Sequence, residues 1–479
     1  MTDPGPVPFW EREGTPNQRA HRLLLVSYHF PPDITIGARR WEKLSIAVTE
    51  RGWGLDVITR APTSKVGTAL DSLRPGVRVF GTPDPALVAE RIEHVLWRAY
   101  RAVIPNPRLE AGAKPGKGGD SLGRPESIDR EDIRPSVRTP REALRTYWAW
   151  LELTHGARWA HRAGALAMQI VESGVHQCVI TSAPPHMSHE AGRAVSEQTG
   201  LPFVMDMRDP WSLQPWLRES VASPLWYSRA KRFERSCIEQ ASLVVANTEP
   251  AREALVALHS DARAKIMTVM NGSDDDPLPP HRDVGRFLIR YAGTIYLDRD
   301  PQLLFRAAAR VIASLKLTPK QFGIDILGRF AAEDRLPLLA MAAQEGIAEF
   351  VSVEPPRPHQ AALEFLASAS MLVIFPGSNR LAIPAKVFEY IRFDSWLLAI
   401  AESKSGIAQM LTGTTADVAE PQLEAIAAAI AARYKDYMAG VRPVRVARDD
   451  RFSRAAQAQL LLDAIDKLVP ARVAPTVSA

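Results

Sequence analysis

From Arg22 onward the apolar residues fall into short runs separated by longer amphipathic stretches, and this alternation continues almost to the C-terminus. The run Leu23-Leu24-Leu25-Val26-Ser27-Tyr28 ends at His29-Phe30-Pro31-Pro32. A nearly unbroken apolar run of that length, closed by a loop, predicts a strand buried on both faces of a parallel sheet. Residues 37–51 predict a helix, with Trp41, Leu44, Ile46 and Val48 among its apolar positions, and after Gly52-Trp53-Gly54 a second strand follows at 55–59. Strand, helix and strand make one βαβ unit. Further strands are predicted at 177–181, 203–207, 243–246 and 266–270, with helices between them. The alternation restarts near Arg286, with strands at 287–291, 323–327, 350–353, 371–375 and 397–400 and two closing helices at 421–439 and 453–468.

Two segments break the pattern. Residues 1–20, rich in Pro and charge, read as a disordered tail, and 105–140, crowded with Gly, Pro and charges of both signs, as a mobile insertion. A long helix is predicted behind it at 141–173, where Tyr147, Trp150, Leu151, Trp159, Leu166 and Ile170 share a broad apolar face. The fold class is therefore α/β, with two Rossmann-like domains facing a cleft. The first spans 21–275 and the second 286–445, joined by a linker at 276–285 that the stretch Asp274-Asp275-Asp276-Pro277-Leu278-Pro279-Pro280 marks. A C-terminal helix at 446–470 and a tail at 471–479 complete the chain.

Composition narrows the function classes. Among 479 residues, 46% apolar and 24% charged exclude a disordered or fibrous chain. The excess of 59 Lys+Arg over 54 Asp+Glu gives a net charge of +5, scattered along the chain without a basic run, so no nucleic-acid partner is expected. Cys178 and Cys237 lie in apolar stretches without metal-spaced neighbours, which argues against a disulfide framework or a zinc site. The N-terminal residues lack a signal-peptide pattern and no apolar run reaches the length of a membrane span, so the expected location is cytoplasmic.

In open parallel sheets ligands bind beyond the carboxyl ends of the strands. Chemistry is accordingly sought at 31–40, 182–189, 206–211 and 271–274 in the first domain, and at 293–299, 328–329 and 377–389 in the second. These loops carry His29-Phe30-Pro31-Pro32 with Gly37-Ala38-Arg39-Arg40, Asn271-Gly272-Ser273-Asp274 and Tyr291-Ala292-Gly293-Thr294. They also carry Ile383-Pro384-Ala385-Lys386-Val387-Phe388-Glu389-Tyr390. In that order the stretches resemble those of a two-domain GT-B glycosyltransferase of the family 4 type, over about residues 22–468 with the insertion excepted. Ser182-Ala183-Pro184-Pro185-His186 and Asp206-Met207-Arg208-Asp209-Pro210-Trp211 resemble a branch acting in bacterial surface-polysaccharide synthesis.

On the donor side, Pro384 suits the first turn of a helix, whose free N–H groups and dipole favour a diphosphate. Glu389 stands where the resemblance implies a carboxylate on the ribose hydroxyls; the bland reading is an acid complementing the helix dipole. Lys386 reads equally as a phosphate partner or a solvated lysine. Gly293 and Thr294 belong to the nucleotide loop, and Arg299 falls where the family has a diphosphate-neutralising lysine. Arg329 is a further donor candidate or a solvated arginine. One departure concerns the sugar contact: relatives have a glutamate eight residues before the ribose-binding one, and here that position is Leu381.

In the first domain His186, behind a strand and a Pro-Pro turn, is a catalytic candidate or a structural histidine, with His189 beside it. Arg208 is a candidate to stabilise a leaving phosphate or bind an anionic acceptor, against an Asp–Arg salt bridge that fixes its own loop. Gly37, Arg39, Arg40 and Asp209 are candidates for acceptor or phosphate contact; a helix start disfavours cations, so at least one of Arg39 and Arg40 is expected to face an anion.

The resemblance implies transfer of a sugar from a nucleotide-diphosphate sugar to a glycan or lipid-linked acceptor, with retention. The leaving diphosphate itself would take the acceptor proton, with neither cofactor nor metal. Two rivals remain: a nucleotide-binding or scaffold subunit without catalysis, and a nucleotide-sugar epimerase on the same architecture. The helix holding Tyr147, Trp148, Trp150 and Trp159 with several arginines adds contact with the inner face of a membrane as a further expectation, against a core-and-solvent role.

Overall fold

The structure is a computed structural model that describes residues 6–33, 36–63, 66, 70–85, 140–208, 211–213, 224–296, 301–328, 330–331, 337–375, 379–448 and 450–469. The first domain contains β1 (Trp10–Glu11), α1 (Pro16–Ala20), β2 (Arg22–Ser27), α2 (Ile36–Glu50), β3 (Gly54–Arg60) and β4 (Val77–Thr82). It continues through α3 (Pro140–Ile170), β5 (His176–Ser182), α4 (Ser188–Thr199), β6 (Phe203–Arg208), α5 (Pro224–Gln240), β7 (Leu243–Ala246), α6 (Glu249–Leu258) and β8 (Ile266–Thr268). The second begins with β9 (Phe287–Ala292), β10 (Ile295–Tyr296), α7 (Gln302–Leu315), β11 (Phe322–Leu327), β12 (Phe330–Ala331), α8 (Leu338–Gln344) and β13 (Val351–Glu354). It ends with α9 (His359–Ala367), β14 (Met371–Ile374), α10 (Ala385–Tyr390), β15 (Trp396–Ile400), α11 (Gly406–Leu411), β16 (Asp417–Ala419) and α12 (Leu423–Met438). A last helix, α13, spans Arg454–Leu468.

The first sheet has the order β1-β4-β3-β2-β5-β6-β7-β8, and the second β13-β11-β9-β14-β15-β16. Apart from the antiparallel edge pair β1·β4, both are parallel. Burial on both faces explains the unbroken runs. Leu23, Leu25, Val57 and Ile180 point into one core layer with α2, while Leu24, Val26, Ile58 and Val179 point into the other with α3 and α4. The second sheet divides likewise, Ile289 and Tyr291 on one side, Leu372 and Ile374 on the other. Each expected strand is present within two residues of its predicted ends.

The short strands β10, β12 and β16 were not predicted, and three further differences have a readable cause. Residues 6–20 do not form a disordered tail: Trp10 pairs with Val79, and Thr15 caps α1. Gln18 N–H donates to Thr15 Oγ1 while Thr15 N–H donates to Gln18 Oε1, a reciprocal capping box with Pro16 at the helix start. Polar signals hold this segment, so a search for apolar periodicity passes over it. Strand β4 was hidden because Arg78 and Gly81 interrupt its apolar alternation. In the expected linker, Asp274 is largely buried between Arg454 and Arg39. The insertion at 105–140, apart from Pro140, and the tail at 471–479 lie outside the described residues.

Helix α13 returns to the first domain, where Ala458, Leu461, Leu462 and Ile465 pack into the layer that holds Trp41, Leu44 and Val48 of α2. Arg51 clamps it through Asp463 and Asp466 at 2.5 and 2.6 Å. Beside the return, the outgoing chain runs parallel: Ser273 N–H donates to Phe452 O at 2.6 Å and Arg454 N–H to Ser273 O at 2.8 Å. Gly272, at φ 72°, is required there, since a Cβ would stand 2.6 Å from Arg454 Cα.

Among the described residues no helix is long and apolar enough to cross a membrane. At the opposite, amino-terminal edge of the first sheet, Asp56 is fully buried and receives Arg22, Arg78 and His176 at 2.5–2.9 Å. His176 Nδ1 accepts from Glu172 N–H, which leaves Nε2–H to donate to Asp56. Burial alone would raise the Asp56 carboxyl; hydrogen bonds from Arg78, His176 and Arg22 outweigh it and hold the group far below the usual carboxylate range. Replacing Asp56 by Ala strands the buried Arg22 charge, and urea unfolding should show a loss of about 3–5 kcal/mol. Because the folded pKa lies below the unfolded value of about 3.9, this stabilisation is complete above that pH and fades as the pH falls through the folded value. The difference between wild type and D56A should therefore narrow only below about pH 4.

Candidate active site

Strand order reverses between β2 and β5 in the first sheet and between β9 and β14 in the second. A crevice opens at the carboxyl ends on either side of such a reversal. In the first domain it is bordered by His29, which hydrogen-bonds Asp33 through Nδ1 at 2.6 Å, and by the loop after β5 that carries the buried His186. A register shift between Asp206 and Arg208 ends β6. Arg208, at φ 41°, occupies the left-handed region that non-glycine residues avoid, a strain of about 1–3 kcal/mol that surrounding contacts must hold in place. Its Nη1 donates to Ala183 O at 3.3 Å. Gly37 lies against it: a Cβ there would stand 2.9 Å from Arg208 Nη1 and 3.3 Å from His29 Cβ. Gly37, His29 and Arg208 thus meet at one point, and any side chain at position 37 would push the guanidinium aside.

Arg40 belongs to the fold and not to this mouth. Its guanidinium is 2% exposed and pairs in a bidentate manner with Asp206 at 3.0 Å, with further bonds to Val269 O, Met270 O and Asn271 Oδ1. Asp206 also accepts from Trp41 Nε1 and Ser182 Oγ. Burial would raise this carboxyl, but the Arg40 charge and hydrogen bond, Trp41 and the Arg208 charge hold it below its ordinary value. The anion Arg40 faces is thus Asp206. Arg39, one residue earlier, is 44% exposed and reaches Asp274 through Nε and Nη2 at 3.2 and 2.9 Å. Asp209, Arg299 and Arg329 lie outside the described residues.

In the second domain Lys386 lies over the end of β9. Its Nζ donates to Tyr291 OH at 2.7 Å and stands 4.1 Å from that ring's centroid. A Cβ on Gly293 would come within 2.1 Å of Lys386 Nζ, and one on Gly328 within 2.2 Å of Gly293 O. Both glycines have positive φ, at 122° and 151°. They leave the backbone of two strand ends and one ammonium group gathered within a single small space. Thr294 O accepts from Tyr291 OH at 3.1 Å, and Tyr390 OH accepts from Ala292 N–H at 2.8 Å, tying α10 to the end of β9.

Glu389 is half-buried, with His359 Nε2 3.5 Å from Oε1. Burial pushes its carboxyl up; His359, Arg39 and Arg392 pull the other way. Arg39 comes from the first domain, so the two candidate sets act on one another across the cleft. Leu381, where the resemblance implies an acid, joins the domains: its carbonyl accepts from Thr248 Oγ1, and its side chain packs on the first domain's core. Thr248 at the same time caps α6 by accepting from Ala251 N–H at 3.2 Å.

Sequence reasoning assigned no individual role to His359, Tyr291, Tyr390 or Thr248, and placed Asp274 only in a candidate loop and the linker stretch. Tyr390 adjoins Glu389, so its place was the most accessible of these. His359 is 30 residues from Glu389 in sequence, and no local pattern joins them. Among the described residues no cluster of His, Cys, Asp and Glu is arranged to hold a metal ion.

No family profile matches the chain. It is 28% identical over 205 residues to a D-inositol 3-phosphate glycosyltransferase 1 of Catenulispora acidiphila, covering 39% of this chain and 48% of the relative. The chain thus spans about half the length of that curated relative. Similar solved structures include sucrose-phosphate synthase from Thermosynechococcus elongatus, with a TM-score of 0.57 at 14% identity over 94% of this chain and 99% of that one. Another is the HepE protein of Anabaena in complex with UDP-glucose, with a TM-score of 0.55 at 13% identity over 93% and 99%. The fold is that of the GT-B type, two Rossmann-like domains facing each other.

His189 lies beneath this mouth. It is fully buried and exchanges a hydrogen bond with Thr181 Oγ1 through Nδ1 at 2.7 Å. Burial, reinforced by His186 and opposed by Asp206, pushes its pKa down to about 3. Neutral His189 therefore contributes stability in full above its unfolded pKa of about 6.5, and that contribution is lost as the pH falls toward the folded value. Between pH 7.5 and 5 the wild type should lose about 2 kcal/mol more than His189→Gln, measured by urea unfolding at each pH.

Proposed function

We propose that this protein is a glycosyltransferase that moves a sugar from a nucleotide-diphosphate sugar to a glycan or lipid-linked acceptor, with retention, in the synthesis of a surface polysaccharide or glycoconjugate. The observation that carries the reading is the meeting of Lys386, Gly293 and Gly328 at the second sheet's reversal, with Glu389 one turn further along the same short helix. An ammonium over two side-chain-free strand ends suits a diphosphate, and a carboxylate beside it suits the two ribose hydroxyls. The similarity to a curated glycosyltransferase and to a structure solved with UDP-glucose supports the same donor class.

In the reaction the bond from the anomeric carbon to the diphosphate oxygen breaks while the acceptor oxygen bonds to the same face. The acceptor proton passes to the departing diphosphate. Lys386 on one side and Arg208 on the other are the cations that meet its growing charge, so catalysis is positioning and electrostatics and requires no protein nucleophile. Arg39, from the acceptor domain, acts electrostatically on the donor carboxylate Glu389 and so couples the two halves.

One observation favours a second reading, a nucleotide-binding subunit without catalysis. Leu381 replaces a sugar-binding acid and is engaged between domains, leaving no side-chain hydrogen bond to a donor sugar at that position.

Thermal unfolding with UDP, GDP, dTDP and ADP, alone and as their sugars, separates these readings. A nucleotide at about 100 times its dissociation constant should add about 2.7 kcal/mol, and Glu389→Ala should abolish the shift. Arg208→Ala should keep the nucleotide shift while turnover falls by roughly 10²–10³-fold. A nucleotide shift with no sugar transfer to any acceptor fraction from cell extracts would leave the non-catalytic reading standing. No shift with any nucleotide would overturn both.

A further inference from the structure

Beside the loop that carries His186, α3 and α5 border a trough of about 370 Å³. Leu153 and Ala157 of α3, Met187 just ahead of α4, and Phe233 of α5 form its apolar floor. Arg158, His161 and Arg162 form one wall. These positions recur every three or four residues and make one face of α3, while Trp159, Ala160, Ala163 and Ala167 pack against the sheet on the other. Met187 follows His186 directly, so the inner end of the trough adjoins the loop at the first sheet's crevice.

Several exposed arginines of the same domain are compensated by a carboxylate on their own helix. Arg193 pairs with Glu190 and Glu197, Arg235 with Glu239, and Arg252 with Glu249, each within one turn. Among the described residues no carboxylate pairs with Arg158, His161 or Arg162, although all three are exposed. Among the described residues Arg162 makes one hydrogen bond, from Nη1 to Pro83 O at 3.3 Å. Two guanidinium groups one turn apart, with no paired carboxylate among the described residues and set along an apolar trough, match an anionic head on an apolar chain. Arginine's planar fork suits the oxygens of a phosphate, and a floor without charges suits hydrocarbon.

We propose that this trough holds the chain of a lipid-linked acceptor, with the phosphate at Arg158 and Arg162 and the first carbons of the chain on Leu153, Ala157, Met187 and Phe233. The identity of the ligand as acceptor rests on the glycosyltransferase reading; the binding chemistry of the trough does not.

The test uses the full-length protein and isothermal titration with dodecyl phosphate below its micelle concentration, alongside inorganic phosphate and dodecyl maltoside. Dodecyl phosphate should bind, the other two at least about tenfold more weakly, and the exposed double substitution R158E/R162E should weaken dodecyl phosphate by about tenfold or more. Equal binding of inorganic phosphate would overturn the proposal in favour of a free-phosphate site. Equal binding of dodecyl maltoside would remove the anionic head, and unchanged binding by the double variant would remove the trough itself. Nucleotide titration of the same samples keeps the two readings apart. A protein that binds UDP and not dodecyl phosphate overturns the trough alone, and one that binds dodecyl phosphate and no nucleotide overturns the transferase reading.

Discussion

Where the chain leaves the first domain at Gly272 and where it returns at Arg454, two backbones lie side by side and bond through Ser273. Asp274, next in line, is held by Arg454 Nε at 2.6 Å and by Arg39. Burial would raise this carboxyl, but Arg454, Arg39 and Lys43 outweigh it and keep it ionised. The consequence is geometric. The two sheets are joined at a double crossing, with Gln457 Oε1 accepting from Met270 N–H on the same strut. Arg39 is held next to that crossing and within electrostatic reach of Glu389, so the join between domains and the contact across the cleft share one carboxylate.

The first domain separates charges that hold the fold from charges that face the cleft. Asp56 and Asp206 are fully buried, and each is surrounded by arginines and by neutral donors. A buried carboxylate without such partners would cost several kcal/mol, and that cost fixes Arg22 and Arg40 where they are. Arg39 stands outside these clusters, and Arg208, at a strand end beside Gly37, acts on Asp206 through its charge. Adjacent residues in one sequence, Arg39 and Arg40, thus take opposite roles because a helix turns them about 100° apart.

The strands were legible because parallel strands covered on both faces leave an unbroken apolar run, as at Leu23 to Val26 and Phe287 to Tyr291. The cradle of Lys386, Gly293 and Gly328 was legible in its parts, since each follows a strand or opens a helix. The capping box at Thr15 and Gln18 was also present in the sequence, but its signal is polar and local and carries no apolar period. Leu381 was read as a lost hydrogen bond, and its structural use between domains was out of reach because its partner Thr248 is 133 residues away.

By itself the sequence determined two α/β alternations, their order, the loops at which ligands should bind and the residue types in those loops, all consequences of local periodicity and turn chemistry. Only the tertiary structure decided which arginine is buried, that His359 lies beside Glu389 and Arg39 acts on it electrostatically, that α13 returns to the first domain, and that Arg158, His161 and Arg162 line a trough with no acidic partner among the described residues. The physical reason is that burial and charge pairing depend on neighbours far away in the chain. A residue's chemistry can be read locally, but the dielectric and the partners that set its role come from folding.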